Sequence, residues 1–173
     1  MELLEDVLKT TIPALIVAGS IAVVLMQHFR NENAKRDHEL KLRNKETSLP
    51  LKFQAYERLV LLMERISLNN MLLRLSASGM SVVEFKLELL QNVTHEFEHN
   101  LSQQLYVSNA CWDKIIEAKT YVMNTVNNTA DQLDPNAQSE HLVNALIQHI
   151  TQQELLPPLE AIYLLKKEAS SLG

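Results

Sequence analysis

Hydrophobic and polar positions divide this chain into three regimes. From Thr10 to Gln27, TTIPALIVAGSIAVVLMQ, no residue is charged. Such a run has about the length that a membrane-spanning helix needs. Gly19 and Ser20 are tolerated inside such a helix, and Pro13 falls near its first turn, where a missing N–H matters least. A cleaved signal peptide would open on basic residues. This chain opens on Glu2, Glu5 and Asp6, with Lys9 opposing them. The pattern predicts a single transmembrane anchor within residues 1–29.

From Arg30 to Ser48 the pattern reverses. The stretch RNENAKRDHELKLRNKETS has almost no apolar side chains. Its charges nevertheless pair at i,i+4: Glu32 with Arg36, Asp37 with Lys41, and Glu39 with Arg43. In each pair the acid precedes the base, the orientation that supports a helix. A polar helix so paired predicts a solvated stalk over residues 30–49, extending the anchor by roughly 28 Å at 1.5 Å per residue. Acids interleaved with the bases make a segment lying on anionic lipid the weaker alternative.

After Pro50 the chain turns apolar with helical spacing, predicting a multi-helix bundle over residues 50–173. LKFQAYERLVLLMERI contains an echo at seven residues, in which Tyr56-Glu57-Arg58-Leu59 recurs as Met63-Glu64-Arg65-Ile66. Residues seven apart share a helix stripe, so Glu57 with Glu64 and Arg58 with Arg65 form short charged rows. Such rows are either the solvated edge of a core helix or a seam where another helix, from this chain or a partner, docks in register. We take them as the candidate partner interface, together with Gly19 and Ser20 in the anchor.

Further along, Asn69-Asn70 predicts a turn, and MLLRLSAS a short helix ending at Gly79. Ser81-x-x-Glu84 is a capping box opening the longest helical pattern, Val82 to about Tyr106. Its apolar stripe runs Leu89, Val93, Phe97, Leu101, Leu105. Ser108 or Asn109 caps a helix carrying Trp112, Ile115, Ile116, Val122 and Val126. Asn127 to Asn136 reads as a polar loop turning at Asp134-Pro135. Helices from Ser139 to about Leu155, and from Pro158 through about Ala169, complete the bundle.

Composition sharpens this all-α reading. With 3 glycines and 5 prolines the chain lacks the turn-formers that sheets require. Only Gly19, Gly79 and Gly173 are present, so no glycine-rich phosphate loop exists. Cys111 is the single cysteine, which excludes an intrachain disulfide and a cysteine-rich metal site and suits a small core residue. A net charge of -5 argues against nucleic acid as a partner. Six bases follow the charge-free run (Arg30, Lys35, Arg36, Lys41, Arg43, Lys45), and only Lys9 and the amino terminus precede it. The positive-inside rule then places residues after the anchor in the cytoplasm. On that topology the sequons at Asn92, Asn100 and Asn127 remain ordinary surface asparagines.

One stretch invites chemistry. His95-Glu96-Phe97-Glu98-His99 matches H-E-x-x-H, in which two histidines bind zinc and the glutamate acts as general base. Both histidines project away from the apolar stripe, at about 100° per residue. Glu98 places a charge between the ligands, and no motif supplies a third ligand from Glu117, His141 or His149. The reading is therefore two surface histidines, with a zinc-dependent hydrolase as the alternative.

The segments LPLKFQAYERLVLLMERISLNNMLLRL and EFEHNLSQQLYVSNACW resemble an uncharacterised family of small, N-terminally membrane-anchored helical proteins of Bacteroidota. That resemblance spans roughly Leu15 to Trp112. It implies a single-pass protein of the bacterial inner membrane, supplies no activity and no catalytic residues, and makes EFEHN part of the family scaffold. The sequence thus predicts a non-enzymatic, membrane-tethered interaction or scaffold module without cofactor. It contacts lipid through residues 10–27 and self-associates or joins another membrane-protein subunit.

Overall fold

The computed structural model describes residues 25–30, 32, 36, 48–153 and 155–172. The anchor and stalk predictions fall mostly outside these residues, and Gly19 and Ser20 fall wholly outside them. Residues 25–30 are helical, with Leu25, Met26 and Phe29 exposed. No helix of the described residues is long and apolar enough to cross a membrane. Chain contacts separate at Ser48–Leu49, and the unit described below is Leu49–Gly173.

This unit is all-helical among the described residues. Helix α1 (48–66) buries Ala55, Tyr56, Leu59, Leu62, Met63 and Ile66, a 3-to-4 spacing that gives one continuous apolar face. Pro50 is the third of its described residues. Only Ser67 separates α1 from α2 (Leu68–Arg74). The expected turn at Asn69-Asn70 is therefore displaced, and both asparagines lie in the first turn of α2. Asn70 Nδ2 donates to the Glu64 carbonyl at 2.8 Å, and Ser67 Oγ does the same at 2.8 Å, filling an acceptor that the end of α1 leaves open. Helix α2 stops at Arg74 rather than at Gly79. Gly79 instead takes φ 78 in the following turn, a conformation that other residues rarely adopt.

Helix α3 (Val82–Asn100) starts as its capping box requires, with Ser81 Oγ accepting from Glu84 N and the Glu84 carboxylate accepting from Ser81 N. Carbonyls of the later loop finish the cap: Val82 N donates to Ala137 O and Val83 N to Pro135 O. Val82, Phe85, Leu89 and Val93 are buried. The predicted stripe fails beyond that point. Leu101–Leu105 is a 3-10 turn, whose 120° per residue puts the chain out of phase with the α-helical stripe. Leu101 and Leu105 are consequently 43% and 80% exposed, while Gln103 turns inward. Phe97 is half-buried, its ring 5.5 Å from Trp112 and under Lys119 Nζ at 4.0 Å.

Helix α4 (Asn109–Ala130) is the central element, packing against α3, α5 and α6. It buries Cys111, Ile115, Ala118, Val122, Thr125 and Val126, and outruns the predicted loop start by several residues. Ile116, expected in the core, is 42% exposed. The Asp134-Pro135 turn is present, with Asp134 Oδ1 accepting from Asn136 N. Helix α5 (Glu140–Thr151) follows a fully buried Ser139, whose hydroxyl donates to Ala77 O. Helix α6 (Pro157–Ser170) opens with prolines in its first two positions, where no N–H is needed.

Candidate functional site

The densest polar assembly forms where the last turn of α6 meets the first turn of α4. Ser108 is the N-cap of α4, and its hydroxyl accepts from Cys111 N. Helix α6 delivers the Glu168 carboxylate to the same point. Its Oε1 accepts from Tyr56 Oη at 2.6 Å and from Ser108 N at 2.8 Å. Its Oε2 accepts from Ser108 Oγ at 2.5 Å and from Cys111 Sγ at 2.8 Å. A carboxylate at a helix N-terminus is also favoured by the helix dipole. One side chain thus joins α1, α4 and α6.

Electrostatics follow from this geometry. Burial pushes the Glu168 carboxyl up, but hydrogen bonds from Cys111, Ser108 and Tyr56 outweigh it and hold the group at about 2. Burial and the neighbouring carboxylate push the Cys111 thiol up to about 12, and the same two causes raise Tyr56. A thiol so raised stays protonated at neutral pH and is a poor nucleophile. Both oxygens of the carboxylate already have two donors each, so Glu168 has little capacity left to take a substrate proton. The chemistry this arrangement supports is helix joining. Sequence reading found Ser108 as a cap and Cys111 as a core residue but missed Glu168 and Tyr56, which lie 60 and 52 residues from Ser108.

The H-E-x-x-H residues sit elsewhere. His95 and His99 are exposed, with rings stacked at 6.4 Å and 14°. Glu96 is occupied by cations, Arg65 Nη1 at 3.2 Å and Arg74 Nη1 at 3.7 Å. Among the described residues no three His, Cys, Asp or Glu side chains gather as a metal would require.

The charged rows of α1 do not act as one unit. Arg65 pairs with Glu96 of α3, and the Glu64 carboxylate accepts from Asn70 of α2 at 3.1 Å. Glu57 is exposed. Arg58 is half-buried and has no ion-pair partner among the described residues. It lines a groove of about 170 Å³ with Leu61, Arg65, Glu96 and His99, in which Leu61 is 48% exposed. The seam expected on α1 is therefore partly filled from within the chain, by α3, and partly open at Arg58.

Residues 2–172 match the model of DUF7935, a family of unknown function. The chain belongs to this family. No curated protein and no solved structure matches it. The family spans nearly the whole chain, so the DUF7935 pattern includes the N-terminal charge-free run as well as the helical unit.

Proposed function

We propose that this DUF7935 protein is a non-enzymatic interaction module, tethered to the bacterial inner membrane by residues 10–27, with its helical unit in the cytoplasm. The tether rests on the charge-free run and on the bases that follow it. The Bacteroidota origin rests on the resemblance alone. Arg58 is the observation that carries the contact role: a half-buried guanidinium without an ion-pair partner among the described residues, beside a half-exposed Leu61. Arginine next to apolar surface is the composition that protein interfaces favour. A second copy of the chain, or another membrane subunit presenting a carboxylate and an apolar side chain, fits this groove.

The test uses full-length protein expressed in a bacterial host. Membranes are washed with alkaline carbonate, solubilised in mild detergent, and the mass of the complex is measured for the native chain and Arg58→Glu. The proposal expects the protein in the washed membranes, as a complex larger than a monomer, which the substitution dissociates without changing the melting temperature. Recovery in the soluble fraction would remove the tether. A native monomer with nothing co-purifying, or an unchanged complex in Arg58→Glu, would remove the contact role.

A further inference from the structure

A larger groove lies away from both Arg58 and Glu168. It has a volume of about 350 Å³ and opens between the α1–α2 junction, the middle of α4, the end of α5 and the start of α6. That volume is within the range of small-molecule sites. Leu68, Val122, Ile150, Leu156, Leu159 and Ile162 form its apolar wall, and Glu64, Ser67, Asn69, Asn70, Tyr121 and Gln153 its polar one. Glu64 is the sole charged side chain lining it among the described residues, and has no ion-pair partner among them. Asn70 spends its amide hydrogens on the Glu64 carbonyl and carboxylate, at 2.8 and 3.1 Å, so its own oxygen is what remains to offer. On the opposite side Tyr121 Oη donates to Gln153 Oε1 at 2.7 Å and lies 3.1 Å from His149 Nε2, which fixes the phenol oxygen at the wall.

Among the described residues the lining therefore carries one negative charge and no positive one. An anionic ligand would meet Glu64 with no cation to receive it. A neutral apolar ligand would leave the Glu64 carboxylate without a counter-charge. We propose that the groove binds a primary ammonium group on a compact apolar body, with the ammonium at Glu64 and the hydrocarbon against Leu156 and Ile162. A free amine and the lysine side chain of a partner share this chemistry. The site is independent of the tether and of Arg58.

Methyl-labelled full-length protein tests it by NMR, with cyclohexylammonium, cyclohexanecarboxylate and cyclohexanol as shape-matched probes and Nα-acetyl-lysine methylamide as the lysine arm. Saturable shifts of the Leu68, Ile150, Leu156 and Ile162 methyls are expected with an ammonium probe, and the tighter of the two amines identifies the source. Glu64→Gln, at an exposed position, should weaken the amine about fivefold and leave cyclohexanol unchanged, the size expected of one exposed charge pair. Leu159→Trp, also at an exposed position, should block amine binding by filling the groove. Equal binding of amine, acid and alcohol, or no saturable shift with either amine, overturns the proposal. Loss of the complex on Arg58→Glu has no bearing on this result.

Discussion

Two polar assemblies join helices in this protein, and they differ in burial and in sequence reach. The Arg65–Glu96–Arg74 set links α1, α2 and α3 through a half-buried Glu96, 12% exposed, whose two arginines are 55% and 41% exposed. The Glu168 assembly links α1, α4 and α6 with a buried Tyr56, a buried Cys111 and a half-buried carboxylate. Water competes for the first and much less for the second. An exposed ion pair contributes about 0.2 to 1 kcal/mol, whereas donors left unmet in a partly buried site cost about 1 to 3 kcal/mol. The difference teaches that the residues whose charge is most visible in the sequence are not those that hold the unit together.

The largest effect should come from Glu168→Ala. It strands the hydroxyl of Tyr56 and the thiol of Cys111 where water reaches them poorly, and we expect a loss of about 2 to 3 kcal/mol in chemical denaturation. A loss below that of Arg65→Ala would reverse the ranking of the two assemblies.

Acid should act through the same carboxylate. Its pKa is about 2 in the folded chain against an ordinary 4.5. The unfolded chain therefore takes up the proton first. The stability supplied by ionised Glu168 is complete above about 4.5 and is lost as the pH falls toward about 2. Denaturation curves of the native chain and Glu168→Gln should accordingly converge across that window, and parallel curves would refute the linkage.

Tyr56→Phe removes one donor and leaves the carboxylate with three, so its cost should be smaller, about 1 kcal/mol. At the exposed seam, Arg65→Ala should cost less than about 1 kcal/mol and the difference should shrink in high salt. A salt-independent loss at Arg65 would mean that this pair is shielded from solvent. Smallest of all, His95→Ala and His99→Ala should each stay within about 0.5 kcal/mol.

The same contrast explains what was legible in the sequence. Ser81 with Glu84, and Ser108 with the Cys111 N–H, are local arrangements three residues apart, and a linear motif captures them. Apolar faces of α1 and of the first half of α3 were readable because the 3.6-residue period persists through them. At Leu101 the backbone tightens to a 3-10 turn, and nothing in LSQQL announces the change of phase. The break at Ser67, in place of Asn69-Asn70, depends on Asn70 reaching back to the Glu64 carbonyl. Glu168 was invisible because its donors lie 57, 60 and 112 residues away. On α6 it looks like any other acid near Lys166 and Lys167. The rows on α1 were legible as charge, but the choice of Glu96 as the partner of Arg65 belongs to the packing of α1 on α3.

Glu168 acts as an ionised anchor whose donors are spent on structure, and its protonation can be read directly. Carbon-13 NMR of the side-chain carboxyls, followed from neutral pH into acid, resolves Glu168 from the exposed glutamates. The expected result is that Glu168 stays ionised through pH 4.5 and approaches its midpoint only near about 2. A Glu168 midpoint at the ordinary 4.5 would contradict this reading.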